Sequence, residues 1–234
     1  MITSIILMCI SGCLLVWYII SKCEKYDLKE LFLKIAISFL FVVVAIVSSF
    51  SSGKFTMFNL LVITGLLLGL LGDVFLDLKY VDKERELGYT YAGFIVFGIG
   101  HLFFITALCL NYYQSGAILF IILPIITSIL LAALTILLEK PLKLKYGKMK
   151  LISFCYAICL FGSVSFSLFL SIQNGFQITS LTMFFIGSVL FTLSDLVLSG
   201  TFFGEGKERP IDFILNYSTY YSAQFVIAFM LLFA

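Results

Sequence analysis

The stretch from Gly65 to Leu78, GLLLGLLGDVFLDL, closes an apolar run that begins near residue 55 and places two carboxylates, Asp73 and Asp77, at its end. A run of that length crosses a bilayer as a helix. A charge at membrane depth costs at least ~2.5 kcal/mol on insertion scales, so such residues face a bundle interior or a watery cavity and mark function. The two acids stand i, i+4 and share one helix face, so what they meet lies on one side of this helix.

The rest of the chain has the same character. Of its 234 residues 62% are hydrophobic and only 12% charged, and the mean hydropathy is +1.14, values outside the range of a water-soluble domain. Runs of about 20 apolar residues span as helices, whereas barrel strands are shorter and alternate in polarity. The fold class is therefore all-α: one polytopic transmembrane domain over 1–234, with spans at about 2–21, 31–50, 55–78, 91–111, 116–138, 151–172, 178–200 and 213–234. The connections alternate between charged (22–30, 79–90, 139–150, 201–212) and short and almost uncharged (51–54, 112–115, 173–177). Counting Lys34 with the first charged connection, one side holds all but one of the 15 Lys and Arg residues, Lys54 being the exception. The positive-inside rule makes that side cytoplasmic and puts both termini outside. The first segment has no basic residues before it and is read as helix 1, not a cleaved signal. Trp17, Tyr18, Tyr80, Tyr89 and Tyr91 near one face, and Tyr112 and Tyr113 near the other, are placed as interfacial belts.

A net charge of +2 gives no reason to expect a nucleic acid partner, and no obligate protein partner is evident; membrane lipids are the expected surroundings, in a bacterial plasma membrane. The cysteines lie in or beside apolar runs and read as small packing residues, not as a disulfide framework or metal site. The lysine-rich segment Leu138 to Leu151 reads as a topogenic loop, with binding of anionic headgroups as the alternative.

Aligning Asp73 with Asp195 sets GLLLGLLGDVFL (Gly65 to Leu76) over GSVLFTLSDLVL (Gly187 to Leu198), which share G-x6-[GS]-D-x2-L. Helices 3 and 7 then correspond, in a parallel 4+4 arrangement; chance similarity of two Leu-rich helices is the alternative. His101, the single histidine, and Gln224 fall within one residue of the same offset. Asp195 lies at nearly the depth of Asp73, and Asn216, Tyr217, Tyr220, Tyr221 and Gln224 occupy the cytoplasmic half of helix 8. These residues form a candidate polar cluster, with Asp77 either at its edge or solvated at the interface. The bland readings are interhelical hydrogen bonding for the aspartates, a satisfied buried ring for His101, and belt positions for the tyrosines. Gly65, Gly69 and Gly72, like Gly93, Gly98 and Gly100, read as points of close helix packing. One histidine with scattered cysteines does not supply the usual ligand set of a zinc hydrolase, so no metal or cofactor is expected. No G-x-S-x-G elbow or P-loop occurs, and Ser163 and Ser165 have no histidine partner that the sequence assigns. Carboxylate chemistry remains.

At GLLGDVFL (Gly69 to Leu76), FGIGHLFFITAL (Phe97 to Leu108), LFTLSDLVL (Leu190 to Leu198) and YYSAQ (Tyr220 to Gln224) the chain resembles the YhhN-type lysoplasmalogenases, eight-span membrane proteins. The resemblance rests on helices 3, 4, 7 and 8. It implies a hydrolase acting on a lysophospholipid substrate, cleaving the sn-1 vinyl ether of a lysoplasmalogen to a fatty aldehyde and a glycerophospho-ethanolamine or glycerophosphocholine. Vinyl ether hydrolysis needs a proton delivered to carbon and a charge to steady the resulting cation, which suits two acids. Asp73 and Asp195 are the expected catalytic pair. His101 is expected to hydrogen-bond one of them or orient water, and the helix 8 polar residues to hold the headgroup or glycerol. The non-enzymatic alternative is a lipid-binding protein or proton-coupled transporter using the same acids; hydrolysis of an ester or amide is a third reading.

Overall fold

The computed structural model describes residues 1–24, 28–53, 55–204 and 209–234. Among them run eight α-helices: α1 (Ile2–Glu24), α2 (Leu28–Ser51), α3 (Met57–Val81), α4 (Glu86–Tyr112), α5 (Leu119–Leu137), α6 (Lys150–Gln173), α7 (Thr179–Phe203) and α8 (Pro210–Phe229). The first seven are long and apolar enough to cross a membrane. The eighth is 20 residues long but carries NYSTYYSAQ, and its Asn216, Tyr217, Tyr220, Tyr221 and Gln224 are buried. Polar side chains are tolerated in a membrane bundle where other helices cover them. The molecule is an all-α polytopic integral membrane protein.

Every helix but α5, which stops at Leu137, overruns its apolar run at the charged side, α3 reaching Val81 and α7 reaching Phe203. Backbone hydrogen bonding continues into the interface, where polar side chains reach water. α8 begins earlier than its apolar run, because Pro210 at its first turn is pre-set for helix and needs no amide partner, and it ends at Phe229 in a 3-10 turn over Met230–Phe233. Of the lysines used for orientation, Lys25, Lys54 and Lys207 lie outside the described residues.

Helix neighbours repeat under an exchange of the two halves. In the first, α1 packs on α2, α2 on α3, α3 on α4, and α4 on α6; in the second, α5 packs on α6, α6 on α7, α7 on α8, and α8 on α2. This is the parallel 4+4 pattern. The tightest seam joins α3 to α4. A Cβ on Gly100 would lie 3.1 Å from the Gly65 carbonyl oxygen, and one on Gly72 would lie 2.5 Å from the Phe97 ring. Gly98, in contrast, has nothing nearer than 3.9 Å and is not needed for that approach.

α1 and α5 are the outlying helices, and Ile2, Ile6, Val16, Leu130 and Leu137 point outward. Cys9 and Cys13 on α1 and Cys155 on α6 are exposed, so these three do not serve as small packing residues within the bundle. Trp17 and Tyr80 are exposed as belt residues should be, but Tyr18 is fully buried. Tyr112 is also turned inward, its hydroxyl 2.8 Å from Ser180 Oγ. Proximity to an interface decides depth only; helical rotation decides whether a ring meets lipid or a neighbour.

Between α5 and α6 the lysine-rich segment is a pinned strap. The Lys145 amide donates to the Phe203 carbonyl at 2.7 Å, Leu144 forms an isolated antiparallel bridge with Gly204, and Tyr91 Oη donates to the Lys148 carbonyl at 2.7 Å. Lys150 reaches Glu139 at 2.6 Å, and that hydrogen bond holds the Glu139 carboxyl below its ordinary range.

Candidate active site

A cavity of about 260 Å³ opens among the charged ends of the helices, and Asp73, Asp77, Asp195, Asn216, Tyr217 and Tyr220 all line it. Asp73 on α3 and Asp195 on α7 each stand eight residues before the last residue of their helix, ~12 Å of rise. Leu138, Leu142, Leu144 and Tyr146 of the strap line the same space, as do Phe94, Phe97, Phe161 and Phe203. The wall is thus largely apolar around a small acidic group.

Asp73 is 3% exposed and held by donors alone. Ser38 Oγ donates to its Oδ2 at 2.6 Å, Tyr220 Oη to the same oxygen at 2.8 Å, and Lys34 Nζ lies 3.3 Å from Oδ1. The two hydroxyls are themselves backed: Gln224 Nε2 donates to Tyr220 Oη at 2.9 Å, and Tyr221 Oη lies 3.1 Å from Ser38 Oγ. With the Ser38 proton given to Asp73, Tyr221 is the donor in that second contact. Tyr221 and Gln224 therefore stand behind the cavity wall and support its lining.

Asp77 is neither solvated nor at the edge. It is 2% exposed, with Lys34 Nζ 2.9 Å from Oδ1 and Tyr18 Oη donating to Oδ2 at 3.3 Å. A carboxylate one turn from the interface stays dry here because α2 delivers a buried cation to it. Lys34 also lies 5.6 Å from the centre of the Tyr217 ring. Asp195 receives the Tyr156 hydroxyl from α6. Next to it, Asn216 Nδ2 donates to both the carbonyl and the hydroxyl of Ser194 at 2.9 Å, which ties α8 to α7 one residue before the acid.

His101 does not meet either acid. Its Nδ1 lies 2.9 Å from Ser163 Oγ, giving Ser163 the partner that the sequence left unassigned. The ring packs against Phe191, Phe104 and Tyr156, with centroids 4.8, 5.9 and 5.9 Å away, and it lies outside the cavity lining. The buried Nε2 has no hydrogen-bond partner among the described residues. Phe97 and His101 stand i, i+4 on one face of α4 and both pack on Phe191; Phe97 reaches the wall, and His101 lies one turn deeper, beyond the lining.

Four polar contacts of the site, Lys34, Ser38, Tyr18 and Tyr156, were not legible as site residues. The positive-inside count groups Lys34 with the charged connection, although LFLKIAIS places it inside an apolar run with Ser38 one turn further on. Among the described residues no group of His, Cys, Asp and Glu is arranged to hold a metal ion.

Neither the curated proteins nor the solved structures compared with the chain include a match. The model of the YhhN family, however, matches residues 30–231, a range that takes in α3 to α7, all of α8 and all but two residues of α2, and so every part of the cavity's acidic group; the chain belongs to the YhhN family.

Proposed function

We propose that the cavity hydrolyses the sn-1 vinyl ether bond of lysoplasmalogens, releasing a fatty aldehyde and a glycerophospho-alcohol. The observation that carries this reading is that Asp73 and Asp195 come from separate helices to the wall of one largely apolar cavity. An apolar wall takes the alkenyl chain, and the acids take the reacting bond. The slow step transfers a proton from a carboxylic acid to the β-carbon, with the double-bond electrons forming the new C–H bond. The carbon bearing oxygen becomes an oxocarbenium ion, which a neighbouring carboxylate steadies. Water adds to it, its proton returns to the acid, and the hemiacetal separates into aldehyde and alcohol. Asn216, Tyr217 and Tyr220 line the approach to the acids and suit contacts to the glycerol hydroxyl and headgroup.

The test is aldehyde release from a defined lysoplasmalogen by the purified protein. Asp73→Asn and Asp195→Asn each lower turnover by about 10²-fold or more, the usual size of a general acid's contribution, while both variants elute as folded protein. Wild-type activity in both variants overturns the assignment. A second reading, a proton-coupled carrier of lipid or another amphiphile, draws support from the 4+4 packing, an arrangement shared by some carriers. Aldehyde release in detergent, where no gradient exists, excludes it as the sole activity; hydrolysis of an ester-linked lysolipid at equal rate argues instead for a less selective hydrolase.

A further inference from the structure

Lys34 and Tyr156 occupy equivalent places. Tyr156 stands 39 residues before Asp195 and donates to it from the preceding helix. Lys34 stands the same distance before Asp73 and meets it from the preceding helix at 3.3 Å. Exchange of the halves carries α2 and α3 onto α6 and α7, so the molecule has built one carboxyl site twice. It has given a cation to one copy and a phenol to the other.

We infer that Lys34 is a positioning residue that makes the two carboxyls unequal: Asp73 is the fixed anion and Asp195 carries the proton. Lys34 is closer to Asp77, at 2.9 Å, than to Asp73, at 3.3 Å. Lys34 is thus an ion-pair partner of both carboxylates, and of the two Asp77 is the nearer. Every polar partner of Asp73 (Lys34, Ser38 and Tyr220) is a donor, the environment a carboxylate needs and a protonated acid cannot use. Asp195 has one hydroxyl donor and no cation within ion-pair distance among the described residues. The cavity wall that it shares also carries Tyr156 on α6, Phe94 on α4 and Asn216 on α8, the last engaged with Ser194, together with Asp73 and with Asp212, which pairs with Arg209 at 3.0 Å. A lone carboxylate, half-buried in that largely apolar wall and without a cation, loses hydration beside a second anion, and a neutral carboxylic acid does not.

The chemical consequence, which rests on the vinyl-ether reading, is that Asp195 supplies the proton and Asp73 faces the oxocarbenium ion. The water that captures the cation returns its proton to Asp195.

The protonation pattern is measured without substrate, by the infrared carbonyl band of protonated carboxyl groups at neutral pH, assigned by its shift in heavy water. The band present in wild-type protein persists in Asp73→Asn and loses one carboxyl's intensity in Asp195→Asn. Lys34→Met gains one carboxyl's intensity, because the site can no longer carry two anions, and Lys34→Arg keeps the wild-type pattern. Where Lys34→Met does not fold, the Lys34→Met/Asp77→Asn double variant has the same net charge as wild type and gives the wild-type band. Loss of intensity in Asp73→Asn with none in Asp195→Asn overturns the inference, as does a Lys34→Met band equal to wild type or an altered band in the double variant. These spectra are independent of aldehyde release, so failure of the proposed activity and failure of this inference are read separately.

Discussion

Lys34 is the residue on which the site's stability turns. It is 4% exposed between two carboxylates that are 3% and 2% exposed. Removing one member of a buried ion group leaves charge without compensation and costs about 3–5 kcal/mol, whereas removing both partners of a pair is often nearly neutral. Lys34→Met is therefore expected to be strongly destabilised, and adding Asp77→Asn to recover most of the loss; unfolding of the four members of the cycle in detergent gives the coupling directly. Independent effects of the two substitutions contradict a shared ion group. The aspartates were visible in the sequence because a carboxylate in an apolar run has no ordinary reason to be there. Lys34 was not, because a lysine near a charged connection is also what the positive-inside rule leads one to expect, and the count absorbed it. His101 misled for the opposite reason: a lone histidine at mid-membrane depth attracts a catalytic role, yet depth carries no information on which face it occupies, and the ring turns to Ser163.

At the scale of elements, the number and order of the helices followed from hydropathy, since a membrane span must satisfy its backbone internally. The rotation of each helix did not follow, because apolar residues occur all round these helices and give no inward stripe to read. This is why Tyr18, placed in a belt, lies against Asp77, and why Gly98, grouped with the packing glycines, is turned to Tyr156 and Cys159 at ordinary contact distance and away from the α3 seam. The α3–α4 seam tests the distinction. Phe97 cannot yield easily to a Cβ at Gly72, because its ring is held edge-on by Phe191 and Tyr220, with centroids 6.1 and 6.2 Å away. Gly72→Ala is expected to lose about 1–3 kcal/mol through overpacking and to disturb Tyr220, the donor to Asp73. Gly98→Ala, which meets only ordinary contacts, keeps or raises stability by up to ~1 kcal/mol through better helix propensity. Thermal unfolding of the two variants in one detergent separates them, and equal losses would count against the close approach at Gly72.

The whole molecule is organised as two four-helix halves, each of which brings one acid. The shared G-x6-[GS]-D-x2-L pattern exposed this for α3 and α7, where the equivalent glycine and aspartate are both retained. It faded in α2 and α6 because the equivalent positions hold Lys34 and Tyr156, which no residue-similarity measure would pair although both serve as donors to the next helix's carboxyl. The halves join through α4 against α6 and α8 against α2, and Ser38 and Tyr220, the two hydroxyl donors to Asp73, come from opposite halves. Neither half holds a complete site. The link between them is the short stretch after α4, where Gly116 has a φ of +91° and open space around it, and the strap that covers the cavity belongs wholly to the second half. Cutting the chain at Ser115 and expressing 1–115 and 116–234 together is therefore expected to give halves that co-purify and release aldehyde, while each half alone releases none. Replacing Asp73 in the first half or Asp195 in the second removes the regained activity without separating the halves. If the halves co-purify but stay inactive with both acids present, the two carboxyls do not act on one bond; if either half is active alone, the shared cavity is not the site.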